Sequence, residues 1–159
     1  GIEATRADWE RILSVNVIGY ALMCQHFLPL IRKSRAGAIV NMGSISSFIA
    51  QPQFVTYNAT KAAIASMTRC LALDLAAENI RVNAVCPGTV WTQIVERLTQ
   101  EAGLTRAEAD AHPDWGAAHM IPRIADPREI ANAALFLASD EASFITAECL
   151  MVDGGYTAK

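Results

Sequence analysis

The chain has 159 residues, a formal net charge of -3 and an estimated pI near 5.6, a length that suits one domain with a real core. Hydrophobic residues make up 52% and charged residues 18%, which excludes the low-hydrophobicity, high-charge balance of a disordered chain. Lysines and arginines are scattered, the densest group being Arg32, Lys33 and Arg35, so no nucleic-acid partner is expected. No apolar run approaches bilayer length, and the opening GIEATRADWER lacks a basic segment followed by an apolar stretch. No membrane partner is therefore expected. Cys24, Cys70, Cys86 and Cys149 are far apart in sequence, as are His26, His112 and His119, so no metal site is expected. Isolated thiols fit a reducing, cytoplasmic setting.

In chain order, Thr5 and Asp8 form a capping pair ahead of a helical pattern. Trp9, Ile12, Leu13, Val17, Tyr20, Met23, Cys24 and Phe27 recur near a 3.6 period, predicting one long helix over residues 6 to 33, with Pro29 loosening its last turns. GAIVNMG, from Gly37, is a short continuous apolar run that suits a strand buried on both faces. Residues 44 to 53 read as a loop. The Ala-rich stretch from Val55 to Asn79 reads as a helix, and IRVNAV, Ile80 to Val85, as a second buried strand stopped by Cys86-Pro87-Gly88. A helix covers 93 to 102, followed by an irregular, mobile stretch to 122. Asp126-Pro127-Arg128-Glu129 starts a helix that runs to about Ala138. Glu148 to Val152 is a last strand.

Strands alternating with helices imply an α/β fold with a parallel sheet of about three strands and flanking helices. One edge of so small a sheet would sit beside nothing in this chain. Ligands of such sheets bind beyond the carboxyl ends of the strands. Gly43-Ser44 and Cys86-Pro87-Gly88-Thr89 leave two strands at that end. Tyr57 and Lys61, four apart on the following helix, share one face with their Cβ atoms roughly 5 to 6 Å apart. A nearby ammonium lowers a phenol's pKa and readies it for acid–base work, and a serine hydroxyl can hold a carbonyl oxygen. Each signal alone also fits a solvated helix face, a turn residue or a simple turn. Their joint order and spacing point to chemistry.

The run VNMGSISSFIAQPQFVTYNATK, Val40 to Lys61, resembles the serine loop and YxxxK helix of the short-chain dehydrogenase/reductase family. Asn16 in SVNVIG, RVNAVCPGTVWT and LMVDGG are similar to further segments of the same family. The likeness covers the whole chain and only that family's C-terminal three-fifths or so. It implies a partial Rossmann-type doubly wound parallel sheet, a single domain over 1 to 159, and a substrate lid over 93 to 122. It implies Tyr57 as general acid/base and Ser44 as the group that orients the carbonyl. Lys61 would lower the Tyr57 pKa and bind the nicotinamide ribose, and Asn16 would hold a water in a relay to Lys61. Pro87, Gly88, Val90 and Thr92 would support the cofactor, Val90 through its backbone and Thr92 through its hydroxyl. Trp91 and Arg97 would meet substrate beside Ser44.

The function implied is hydride transfer between NAD or NADP and a small-molecule ketone or secondary alcohol, such as a small hydroxy acid or a sugar-derived substrate. The family's glycine-rich TGxxxGxG turn and NAG segment are absent from these residues, which implies a truncated chain impaired in binding and turnover. The apolar helices imply a homodimer or homotetramer. A non-enzymatic oligomerisation fragment is the alternative. A hydrolase built on Ser44 needs a histidine in reach and has no GxSxG elbow.

Overall fold

Thr5 starts the first helix through a reciprocal cap. Its hydroxyl accepts from Asp8 N at 3.2 Å, and the Asp8 carboxylate accepts from Thr5 N at 3.1 Å. The computed structural model, which describes residues 1–159, continues from there as one helical rod over Arg6–Ile31. The rod comprises α1 (Arg6–Leu13), a wider π turn (Ser14–Ile18) and α2 (Gly19–Ile31). Its 26 residues include an 18-residue window of mean hydropathy 1.3, long and apolar enough to cross a membrane by length and composition. The apolar residues are interleaved at helical spacing with Asn16, Gln25 and His26, so no unbroken run exists although the average is high.

Three strands form one parallel sheet in the order β1 (Gly37–Met42), β2 (Ile80–Pro87), β3 (Cys149–Val152). The register sets Gly37 beside Ile80 and Ala84 beside Cys149. β2 is the centre, with Val82, Ala84, Val85 and Cys86 all fully buried, because both of its faces are covered. On one face Ala65, Ala72 and Leu75 of α3 (Val55–Leu75) pack against Ile80, Val82, Ala84 and Cys86, with Leu28 and Ile31 of α2 at the margin. On the other, Ile130 and Leu137 of α6 (Pro127–Ala138) pack on Val85. Arg81 fixes the end of α6 by donating to the Leu137 and Ser139 carbonyls at 2.7 and 2.9 Å. β1 pairs only with β2, and its outer edge opens onto a groove of about 550 Å³ between β1 and α2.

α3 ends earlier than its composition suggests. A 3-10 turn (Ala76–Glu78) takes over and Asn79, left-handed at φ 56°, reverses the chain. β2 runs on through Pro87. After α4 (Gln93–Glu101) comes α5 (Arg106–Ala111), where the sequence reading expected no element. A second reciprocal cap builds it: Glu108 N donates to Thr105 Oγ1 at 3.3 Å and Thr105 N to Glu108 Oε2 at 2.8 Å. The Arg106 guanidinium donates to Ile124 O at 3.0 Å and Ile124 N donates to Asp110 Oδ1 at 2.9 Å, which anchors α5 to the buried Ile124.

Candidate active site

β1 delivers the chain to its carboxyl end at Met42, and the turn that follows must pass close beneath β2. A Cβ on Gly43 would lie 2.7 Å from Cys86 Sγ and 3.2 Å from Val85 O, so a larger residue would have to push the buried thiol aside. Gly43 N donates to Val85 O at 2.8 Å. Ser44 follows, buried, and caps a short 3-10 turn (Ile45–Ser47) with its Oγ accepting from Ser46 N at 3.1 Å. Ser47 Oγ donates to Lys61 O at 2.8 Å and ties this loop to α3. Asn58, beside Tyr57, donates to Ile49 O at 2.9 Å and holds the far end of the same loop.

Tyr57 is half-buried, edge-on to Phe54 with ring centroids 6.1 Å apart. Burial raises the phenol's pKa above its ordinary value, and the Ser44 hydroxyl acts against it. Lys61 is 7% exposed, and burial holds its pKa below the usual lysine range. Its Nζ lies 5.6 Å from the Tyr57 ring centroid and donates to Met42 O at 2.9 Å. The net direction for the phenol is therefore upward, with burial as its largest cause. The charge sits over the ring face and is aimed at a backbone carbonyl, and desolvation dominates.

Asn16 lies inside the π turn of the long helix. Its Nδ2 donates to Thr60 Oγ1 at 3.1 Å, and Thr60 in turn donates to Tyr57 O at 2.8 Å. Asn16 thus reaches α3 one residue before Lys61. Tyr20, one turn further on, was not singled out as a site residue. Its hydroxyl points at the Met42 carbonyl, the acceptor Lys61 uses, at 3.4 Å. The signal available was its spacing of four from Asn16 on one helix face.

After β2, residues 87–92 run beside β3 and the start of α6. Gly88 N donates to Val152 O at 3.1 Å, Ala125 N to Thr89 O at 3.0 Å and Trp91 N to Ala125 O at 2.9 Å. Val90 forms an isolated parallel bridge with Ala125. Thr92 caps α4. Trp91 is half-buried under Arg106, whose guanidinium lies 4.3 Å from the indole. Arg97 is exposed on α4, with Glu101 at 3.8 Å as its ion-pair partner. Ser44, Tyr57 and Lys61 are thus brought together, with Asn16 joined through Thr60, whereas no hydrogen bond links Arg97 or Trp91 to them.

The cysteines are less isolated than their spacing suggests. Cys86 and Cys149 meet in the core between β2 and α3, where the contact with Cys149 and burial raise the Cys86 pKa. No group of three His, Cys, Asp or Glu side chains could hold a metal ion. Neither His112 nor His119 serves Ser44: His112 Nδ1 accepts from Asp114 N at 3.2 Å, and both His119 ring nitrogens meet backbone groups.

A family profile described as enoyl-(acyl carrier protein) reductase matches residues 1–157. The cis-4-hydroxycyclohexanecarboxylate dehydrogenase of Sinomonas cyclohexanicum is 43% identical over 152 residues, 96% of this chain and 57% of that protein. The ligand-free aldohexose dehydrogenase of Thermoplasma acidophilum superposes with a TM-score of 0.90 at 38% identity, over 99% of this chain and 62% of that one. ElxO with NADP bound superposes with a TM-score of 0.88 at 26% identity, over 99% and 61%. The chain spans about three-fifths of the length of these relatives.

Proposed function

The chain belongs to the short-chain dehydrogenase/reductase family, and from that premise we propose that the protein is an NAD(P)-dependent oxidoreductase acting on a ketone and its secondary alcohol. The observation that carries this reading is the convergence of Ser44, Tyr57 and Lys61 at the carboxyl end of β1. A nicotinamide cofactor would supply or accept the hydride. The donor set fits its ribose end: Lys61 Nζ uses one N–H on Met42 O, which leaves two donors of a buried ammonium for hydroxyls. The loop over Pro87, Gly88, Val90 and Thr92 presents backbone groups beside that mouth and would support the nicotinamide. The residues here contain no glycine-rich phosphate turn.

In the reducing direction the Ser44 hydroxyl donates to the substrate carbonyl and orients it. As charge develops on that oxygen, the Tyr57 phenol gives it a proton. Burial keeps the phenol protonated, which is the form that donates. Lys61 stabilises the phenolate left behind, and Asn16, through Thr60, holds α3 beside the long helix. Residues 93 to 122 form the substrate lid, in which Trp91 stands at the entrance and Arg97 meets a substrate carboxylate on leaving Glu101. The names of the relatives support cyclic and sugar alcohols as the substrate class. A homodimer or homotetramer in the cytoplasm completes the reading, supported by the exposed Ile18, Leu22, Phe27 and Leu135.

The test is oxidation of a panel of cyclic secondary alcohols and polyols with NAD+ and NADP+, comparing the protein with Tyr57→Phe. Activity should fall at least about a hundredfold with the fold intact. Equal activity in the variant removes the acid–base role. The open groove along β1 favours a second reading, a non-enzymatic oligomerisation fragment. That reading expects no change of NADH fluorescence on titration, and micromolar binding rejects it.

A further inference from the structure

The catalytic convergence leaves one buried ionisable ring unused. His119 is 5% exposed, in the last part of the lid. Its Nε2 accepts from the Thr89 backbone N–H at 3.2 Å, and its Nδ1 stands 3.0 Å from the Gly116 carbonyl. A carbonyl only accepts and an amide N–H only donates, so the two partners assign a neutral ring with its proton on Nδ1. A single side chain thereby joins the loop after β2 to the short turn Gly116–Ala118.

The surroundings leave the ring little freedom. A Cβ on Gly88 would lie 2.7 Å from Nε2, so the glycine of the Pro-Gly pair is the residue that lets the imidazole approach. The Tyr156 ring packs beside it with centroids 5.4 Å apart. The same stretch is tied again to the C-terminal tail: Ile121 N donates to Gly154 O at 3.0 Å and Lys159 Nζ donates to Ala118 O. The tail is in turn folded around Asp153, which accepts from Gly155 N at 3.0 Å, Thr157 N at 2.8 Å and Thr157 Oγ1 at 2.7 Å. Four segments thus meet at one imidazole: the loop after β2, the lid turn, the turn after β3 and the C-terminal residues.

We propose that His119 is a positioning residue that locks residues 87–92 in the shape that receives the nicotinamide half of the dinucleotide, and couples that loop to the lid and the C-terminal tail. The cofactor role of the loop rests on the oxidoreductase reading above; the tie itself does not. Nothing in the sequence marked the residue, because its partners are backbone groups 30 positions before it and three positions before it.

The experiment compares His119→Phe and His119→Gln in the intact enzyme. Phenylalanine fills the space and cannot accept from Thr89. Glutamine restores an acceptor. Losing one buried hydrogen bond should raise KM and Kd for the dinucleotide about threefold to tenfold in the Phe variant, with kcat within about twofold. Glutamine should return both constants to within about twofold of the parent. A Phe variant with parental KM and Kd, or a Gln variant no better than Phe, overturns the positioning role. Two readouts need no turnover. The imidazole nitrogen-15 shifts of the parent should show a protonated Nδ1 and an unprotonated Nε2, and the Thr89 amide should exchange faster in the Phe variant. A protonated Nε2, or unchanged Thr89 exchange, removes the tie. A parent protein with no dehydrogenase activity but with both readouts as expected counts against the oxidoreductase reading alone, and the dinucleotide Kd then decides the positioning role.

Discussion

The helix that carries Asn16 and the helix that carries Tyr57 and Lys61 are alike in composition and opposite in burial. The first, over Arg6–Ile31, has no buried residue and exposes Val15, Ile18, Met23, Phe27 and Leu30. α3 buries seven residues, Lys61 among them. The difference is the sheet beneath them. α3 lies over β2, which has a strand on each side, whereas the long helix overhangs the open edge of β1. Hydrophobicity alone therefore does not place a residue in a core; a second surface must meet it. The consequence reaches the site, because Ser44, Tyr57 and Lys61 stand on the supported part and Asn16 on the open one.

The largest effect that separates the two parts is a core truncation. Leu137 is 1% exposed against Val85, Ile130 and Ala142, so Leu137→Ala should lower stability by about 2–5 kcal/mol in urea unfolding. Phe27 is larger but 49% exposed at the groove, and Phe27→Ala should stay below about 1 kcal/mol. Similar losses at both positions would break the contrast and show the groove closed in solution.

Much of the supported part was legible in the sequence, and for physical reasons. β2 has both faces covered, and IRVNAV, bounded by Asn79 and the Cys86-Pro87-Gly88 stop, reads as a short buried strand even with Arg81 and Asn83 in it; α6 begins at an Asp-Pro-x-Glu signature whose cap is local. The order of Ser44, Tyr57 and Lys61 was legible because the strand end and one helical turn fix their relation. What was missed was partly a local signal passed over and partly contacts distant in sequence. α5 hid behind Gly103, Pro113 and Gly116, although its Thr105 and Glu108 spacing was the cap signal. The direction of the Tyr57 pKa depends on burial, and the meeting of Cys86 with Cys149 depends on the β2–β3 register. Neither is written in local spacing.

A smaller effect tests whether the supported part is held by burial or by surface charge. Arg123 grips Glu129 with two contacts of 2.7 Å and, with Asp126 N, holds its carboxyl at about 2. The folded pKa lies below the unfolded value near ~4.3. The contribution is thus present above about pH 4.3 and lost as pH falls towards about 2. The pair is about two-fifths exposed, so solvent screening keeps its contribution small. Glu129→Gln should lower the Tm slightly at pH 7, by an amount that shrinks as pH falls through about 2. A deficit that does not shrink over that range assigns the effect to helix capping instead of charge.

The smallest effect concerns strain left inside the supported part. Ala147 enters β3 with φ at 64°, in the left-handed region, while its N–H donates to Val82 O at 2.8 Å. That bond fixes the backbone, so the alanine cannot relax without breaking the tie to β2. A non-glycine residue held there costs about 1–2 kcal/mol. Glycine removes that strain but adds back roughly 0.5–1 kcal/mol of chain entropy. The methyl group also packs at the edge of the cluster around Ala72, Leu75, Ile80 and Val82, and its loss takes a further fraction. Ala147→Gly should therefore raise stability by no more than about 0.5 kcal/mol, read as a small increase in urea midpoint at unchanged slope. A decrease would show that the methyl contact outweighs the strain, and that this end of the sheet is packed as tightly as the centre of β2.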